Sequence, residues 1–344
     1  MRKVIILIIL ACIFCVPFGV RMLGKNSLYQ QSEMATPTLE NIEEEVLENS
    51  TWQDGWVRFN GDIYEYNDDI LTFLFLGIDE EGEVEVAEDG ISGGQSDAMF
   101  LLIINPDLKD IKILSINRNT MAKIAVYDEE GLFVAYDTKQ ITLQHGYGDG
   151  RELSCERTVE AVSNLLYGIP IHGYASINMS AITTINDAVG GVEVTLEEDF
   201  VWKVKGVTYS LAAGEAVSLQ GMDAFYYVKY RDYKESNTAD ERLERQKQYM
   251  KAFLEKAMIE VKKDITMPVK LFQAIESYMV TSVSLNQFSY LLTEYIGYDI
   301  NLANIYQLPG ETITGEVFEE YIVDEEALYE LMIELFYQKV EEGL

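Results

Sequence analysis

The side chains best placed to do chemistry in this chain are two aspartates and a scattered set of bases. Asp79 ends the apolar run "LTFLFLGID", and Asp97 opens the run in "GQSDAMFLLIIN". Arg118 closes a third run, "IKILSIN", in a chain of 58 acidic and 26 basic side chains with a formal net charge of −32. Lys229 and Arg231 end one segment. Arg242, Arg245, Gln246 and Tyr249 then recur at i, i+3, i+4 and i+7, along one helix face. A guanidinium grips an anion at two points, so a strand-end arginine joined to such a face forms an anion clamp. Diphosphate is its natural guest. Paired strands that brought Asp79 and Asp97 together would add a cradle for Mg²⁺, completed by a phosphate oxygen and water. Plainer readings are a solvated helix pairing with Asp240, Glu241 and Glu244, and aspartates that cap turns.

Other chemistries find little support. "GISGG" (90–94) matches a nucleophile elbow literally, but an acidic loop leads in and a strand follows, where that motif needs a strand and then a helix. It also lacks the Gly-Lys-Ser/Thr ending of a P-loop. His145 and His172 are the only histidines, too few for histidine-bound zinc hydrolysis, and each reads as packed or turn-bound. Cys12 and Cys15 lie in the first apolar stretch and Cys155 stands alone, so no disulfide framework is available. The acidic balance argues against a nucleic-acid partner.

The elements that must position these residues read as α/β. "MFLLIIN" and "IKILSIN" flank "PDLKD" as a β-hairpin; arms apolar throughout imply a sheet covered on both faces. "CERTVEAVSNLLYG" predicts a helix stopped at Gly168. "INMSAITTINDAVGG" predicts one from Asn178 to Gly190 and Gly191, entering a strand at Val192–Leu196. A helix begins near Gly221. A long one follows from Thr238, which stands in capping-box spacing with Glu241. From Ile265 amphipathic helices alternate with short strands such as "ANIYQLPG", and "DEEALYELMIELFYQKVEEGL" closes the chain as a helix.

The N-terminus predicts a membrane anchor. Arg2 and Lys3 precede an apolar run from Val4 to about Leu23, close to the ~20 residues that span a bilayer. Bases before the run place the N-terminus in the cytoplasm and the rest outside. A cleaved signal or a lipoprotein signal at "LAC" fits less well, because the run continues past Cys12. The expected organisation is an anchor at 1–25, an acidic extracellular linker at 26–70, and a single domain at 71–344.

"FLFLGID", "GQSDAMFLLIINPDLKDIKILSINRNT", "INMSAITTINDAVGGVEV", "LAAGEAVSLQGMDAFYYVKYR" and "ADERLERQKQYM" resemble, in order, the motifs of the LytR-CpsA-Psr family of wall-glycopolymer ligases. They run from about residue 71 to 255. The resemblance implies a central mixed sheet covered by helices on both faces. It implies a phosphotransferase that moves a glycopolymer phosphate, such as teichoic acid or capsule polysaccharide, from a polyprenyl-diphosphate carrier to peptidoglycan at the membrane, usually at a muramic acid 6-hydroxyl. By the same resemblance Asp79 and Asp97 match its magnesium ligands, Mn²⁺ being the alternative ion. Arg118, Lys229, Arg231, Arg242, Arg245 and Gln246 match its substrate-contacting positions, with Arg118, Asp97 and Arg242 catalytic. The helices between 153 and 190 and those near the C-terminus would wall a slot for the lipid tail.

Departures from the family pattern are Asn117 for a proline, Asn119 for an acid, Glu80 where many members have a base, Gln95 for an arginine, and Lys229 for an arginine. They keep a second reading open: a membrane-anchored, non-catalytic binder or regulator of lipid-linked wall glycans. A transcriptional regulator is disfavoured by the anchor, the acidity and the missing DNA-binding motif.

Overall fold

The computed structural model describes residues 37, 39, 53, 55–204, 206–231, 238–295, 297–300, 305–315 and 317–340. The segment read as an anchor, 1–25, lies outside them. Among the described residues no helix is long and apolar enough to cross a membrane.

The described chain opens with a hairpin, β1 (Trp56–Phe59) and β2 (Asp62–Tyr66). Then come β3 (Leu71–Ile78), β4 (Ser96–Asn105) and β5 (Asp110–Ile116), three apolar strands in succession. β6 (Met121–Tyr127) and β7 (Phe133–Gln140) form a second hairpin in a stretch where the sequence reading assigned no element. α1 (Leu143–Gly146) and α2 (Glu152–Leu165) lead to β8 (Gly173–Asn178) and α3 (Ala181–Ala188). Asn178 is therefore the last residue of a strand rather than a helix cap, because "YASIN" alternates buried and half-buried positions and pairs with β3.

Short strands β9 (Val192–Thr195), β10 (Phe200–Val204), β11 (Val207–Leu211) and β12 (Ala216–Leu219) form two ribbons, β9 with β12 and β10 with β11. Helices α4 (Met222–Lys229) and α5 (Thr238–Lys263) follow, where the sequence placed them. The last third holds α6 (Met267–Ala274), β13 (Met279–Thr281), α7 (Leu285–Tyr295), β14 (Asp299–Ile300), β15 (Tyr306–Gln307), β16 (Gly310–Thr314) and β17 (Glu319–Val323). α8 (Glu325–Phe336), capped by the Asp324 carboxylate, then gives way to β18 (Tyr337–Lys339).

The central sheet is mixed, in the order β13-β8-β3-β4-β5-β14, with β15 also on β5. β4 runs antiparallel to both β3 and β5, whereas β8 on β3 and β14 and β15 on β5 are parallel. Both faces are covered, as the continuous apolar runs require. Leu74, Leu76, Met99, Leu101 and Leu114 point into the main core under α2 and α8. On the other face Phe73 and Ile104 meet Tyr290 and Tyr295 of α7, and Phe100 and Ile113 meet Leu243 of α5.

The linker expected to run to residue 70 gives way earlier. β2 pairs with β18, and Val57, 1 % exposed, packs into the main core, where Phe59 lies 5.9 Å from Tyr329. The acidic flanks hid this: "WVRFNGDIYEY" is rich in aromatic and β-branched residues on both sides of an Asn60-Gly61 turn with positive φ at both positions.

Candidate active site

Antiparallel pairing decides where the chemistry gathers. β3 ends beside the start of β4, with Ile78 opposite Ser96, and β5 ends there too, with Met99 opposite Ile116. Asp79, Asp97 and Arg118, remote in sequence, therefore meet at one sheet edge. The register slips between Gly77, opposite Ala98, and Ile78, opposite Ser96, which leaves Asp97 as the extra residue of a bulge in β4. Asp79 and Gln95 lock the corner reciprocally: Asp79 N–H donates to Gln95 O at 3.0 Å, and Gln95 N–H donates to Asp79 Oδ1 at 2.7 Å.

Asp97 is the hub. Arg118 Nη1 donates to its Oδ1 and Arg242 Nη1 to its Oδ2, while Arg118 Nη2 donates to the Gln95 side-chain oxygen. Arg242 comes from the start of α5 and is 2 % exposed. Among the described residues, two buried guanidinium nitrogens, Arg118 Nε and Arg242 Nη2, have no partner. Two charged donors held without protein acceptors beside one carboxylate suit an incoming anion. Burial lowers the Arg118 guanidinium from its ordinary value, Asp97 opposing this and the nearby Arg242 and Arg231 adding to it. Burial raises the Asp79 carboxyl, against the Gln95 N–H bond and with help from the charge of Asp97.

The outer bases are placed differently. Arg231 pairs with Glu319 at 3.0 Å, and Lys229 pairs with Glu81 with its ammonium 5.0 Å from the Phe225 ring. Arg245 Nε donates to Tyr227 O at 3.0 Å and its Nη2 to Tyr230 O, while Gln246 Nε2 donates to Val228 O at 3.2 Å. Arg245 and Gln246 thus satisfy the free carbonyls at the C-terminal end of α4, which any helix end must answer. The structure joins Asp79, Asp97, Arg118 and Arg242 in one cluster. Arg231 stands within Coulombic reach, and Arg245 and Gln246 brace the neighbouring helix.

The departures from the family pattern also find partners. Asn117 Nδ2 donates to Asp240 Oδ1 at 2.6 Å, tying the end of β5 to the first turn of α5, two residues before Arg242. Asn119 accepts from Gln140 Nε2 at 3.1 Å, so an amide there serves where a charge would be buried. Gln95, Asp240 and Glu319 were not among the expected site residues. Only Gln95, next to a motif aspartate, carried a local signal.

Two carboxylates with the raised Asp79 suit a hard divalent cation. Among the described residues no side-chain cation pairs with Asp79, and no group of three or more His, Cys, Asp or Glu side chains gathers to hold a metal. The donor set fits an ion whose other ligands are phosphate oxygens and water, as Mg²⁺ prefers. The two histidines stand apart. His145 Nδ1 lies 3.2 Å from Gly94 O, and His172 Nδ1 accepts the Thr72 N–H at 3.0 Å; both are buried.

A mixed α/β sheet with an arginine–carboxylate cluster at the edge where β3, β4 and β5 meet defines the class. The chain belongs to the LytR_cpsA_psr family, whose model matches residues 28–336. It is 30 % identical over 263 residues to the polyisoprenyl-teichoic acid–peptidoglycan teichoic acid transferase TagU of Oceanobacillus iheyensis, covering 76 % of this chain and 73 % of that one. Among solved structures it resembles Bacillus subtilis TagV, with a TM-score of 0.58 at 22 % identity over 77 % of this chain and 96 % of that one. It also resembles TagT bound to LI-WTA, with a TM-score of 0.55 at 22 % identity over 78 % of this chain and 89 % of that one.

Proposed function

We propose that this chain is a membrane-anchored phosphotransferase that moves a glycopolymer phosphate, of the teichoic-acid class named for its relatives, from a polyprenyl-diphosphate carrier to peptidoglycan. The acceptor hydroxyl oxygen bonds to the glycan-side phosphorus. The bond from that phosphorus to the bridging oxygen breaks, the lipid leaves as its monophosphate, and the hydroxyl proton passes to solvent.

The observation that carries this reading is the pair of unpartnered, buried guanidinium nitrogens, Arg118 Nε and Arg242 Nη2, on either side of Asp97. Phosphoryl transfer asks a protein chiefly for positioning and neutralised charge, and these groups are preset for both. A Mg²⁺ ion held by Asp79 and Asp97 would neutralise charge on the diphosphate oxygens. Phe75, in the central strand yet 41 % exposed, offers apolar surface to a lipid tail on the face shared with α5. Within this reading the segment 1–25 is the anchor, the N-terminus is cytoplasmic and the described domain is extracellular.

The test combines the purified full chain with a polyprenyl-diphosphate glycan and peptidoglycan fragments. Equimolar appearance of glycan-phosphate on the fragment and polyprenyl monophosphate supports the reading. Binding of the lipid without release of monophosphate supports the non-catalytic alternative.

A further inference from the structure

A cleft of about 810 Å³ opens from the clamp on the side of Asp79 and Gln95. Its far wall is built from the β6–β7 turn and the residues after α1: Tyr127, Asp128, Glu129, Glu130 and Tyr147. This wall took no part in the sequence motifs or in the clamp. We propose that the cleft is the acceptor subsite and that it selects an acceptor carrying a free primary amine. The proposal rests on the transferase reading above.

The cleft is preformed. Gly90 approaches Gly131 so closely that a Cβ on Gly90 would lie 2.5 Å from the Gly131 backbone, and Gly90 N–H donates to Glu129 O at 2.9 Å. The turn is closed internally by Leu132 N–H on Asp128 Oδ1 at 2.8 Å. Gly94, in the cleft wall with φ +77°, carries no Cβ where one would meet Ile78 and Glu80 at 2.9 Å. The Arg157 guanidinium lies 3.3 Å from the centre of the Tyr127 ring and donates to Tyr147 O at 2.8 Å, fixing both tyrosines in place. Aromatic walls with a few convergent polar groups suit the C–H faces and hydroxyls of a sugar.

Charge narrows the choice. Glu80, Asp128, Glu129 and Glu130 line the cleft. Among the described residues no ion pair involves Glu80, Glu129 or Glu130, and Glu129 and Glu130 are exposed. The donor is a polyanion, so four carboxylates repel it from this arm while the arginines draw it to the other. What enters the acidic arm is neutral or cationic. In a peptidoglycan acceptor the ammonium comes from an unlinked stem-peptide amine or from a de-N-acetylated amino sugar.

The experiment titrates the full chain, in detergent micelles, with soluble peptidoglycan fragments. Four versions vary the peptide amine (free or acetylated) and the sugar amine (N-acetylated or free). A short-chain prenyl diphosphate is titrated in parallel. One of the free-amine versions should bind about five- to tenfold more tightly than the fully acylated one, the size expected of a few exposed ion pairs. The version that gains identifies the source of the amine. In the exposed-residue variant Glu129→Gln/Glu130→Gln the preference should fall below about twofold, with prenyl diphosphate bound at least as tightly as by the wild type. Equal binding of all four fragments, or a preference that survives the double substitution, would overturn the proposal. A wild-type chain that ignored prenyl diphosphate would instead overturn the transferase reading, and with it the term acceptor, whatever the fragments did.

Discussion

Arg242 Nη1 donates to Asp97 Oδ2 across 145 positions of sequence, tying the start of α5 to the start of β4. With Arg242 2 % exposed, this ion pair is part of the domain interior and part of the site at once. Removing one partner of a buried pair leaves an uncompensated charge. Arg242→Ala should therefore lower unfolding free energy by about 3 kcal/mol, the low end of the usual range because Arg118 still holds the other oxygen of Asp97. Urea unfolding of wild type and variant measures it. A loss below about 1 kcal/mol would mean that the pair is solvated rather than buried.

Asp79 allows metal and fold to be separated. It is half-buried and its side chain bonds one backbone N–H, so Asp79→Ala should leave the melting temperature within a few degrees of wild type. Transfer should fall to the level that wild type shows in excess chelator, and added Mg²⁺ should no longer stimulate it. Undiminished, Mg²⁺-responsive transfer in the variant would remove Asp79 from the cradle.

Stability should depend on pH through His172. Burial pushes its imidazole down to about 4, below the unfolded value of 6.5. Between these values the unfolded chain binds the extra proton, so stability is complete above pH 6.5 and is lost as pH falls toward 4. The loss should reach about 2 kcal/mol by pH 5, at 1.36 kcal/mol per unit. His145, also lowered by burial, adds a loss of the same sign. Urea unfolding at pH 7 and pH 5 gives the slope, and His172→Gln should flatten most of it.

The start of the domain is testable by truncation. A chain beginning at residue 71 lacks β1 and β2, leaves β18 unpaired and uncovers Tyr329. Losing the burial of Val57 alone should cost about 1.5–3 kcal/mol, and the half-buried Phe59 adds to it. A chain beginning at residue 37, which keeps the buried Leu39 together with β1 and β2, is the comparison and should melt well above the shorter one. Equal melting of the two would return 56–66 to the linker.

The centre of this fold was legible in sequence because its strands are unbroken apolar runs ended by chemically loaded residues. "LTFLFLGID", "SDAMFLLIIN" and "IKILSIN" give their strands, and their antiparallel order brings Asp79, Asp97 and Arg118 to one edge. Arg242 was legible too, from the spacing on α5. That spacing could not tell which neighbour each side chain meets: Arg242 faces the sheet, while Arg245 and Gln246 face α4. Glu319 reaches Arg231 from β17, 88 positions away, through tertiary pairing that no local pattern encodes. The β1–β2 hairpin was masked by its acidic surroundings, and the β6–β7 hairpin by an arm exposed along most of its length.

The central claim, that Arg118 is poised for diphosphate, is tested most directly by Arg118→Lys, measured for both transfer and unfolding. Lysine keeps the charge and can still meet Asp97, so stability should fall by no more than about 1.5 kcal/mol. It lacks the second point of the fork, and a charge-assisted hydrogen bond at such a site is worth ~1.5–3 kcal/mol. Transfer from a polyprenyl-diphosphate glycan should accordingly drop about ten- to a hundredfold, with the protein still folded. Unchanged transfer would contradict the account, as would a loss of transfer that merely follows the loss of folded protein.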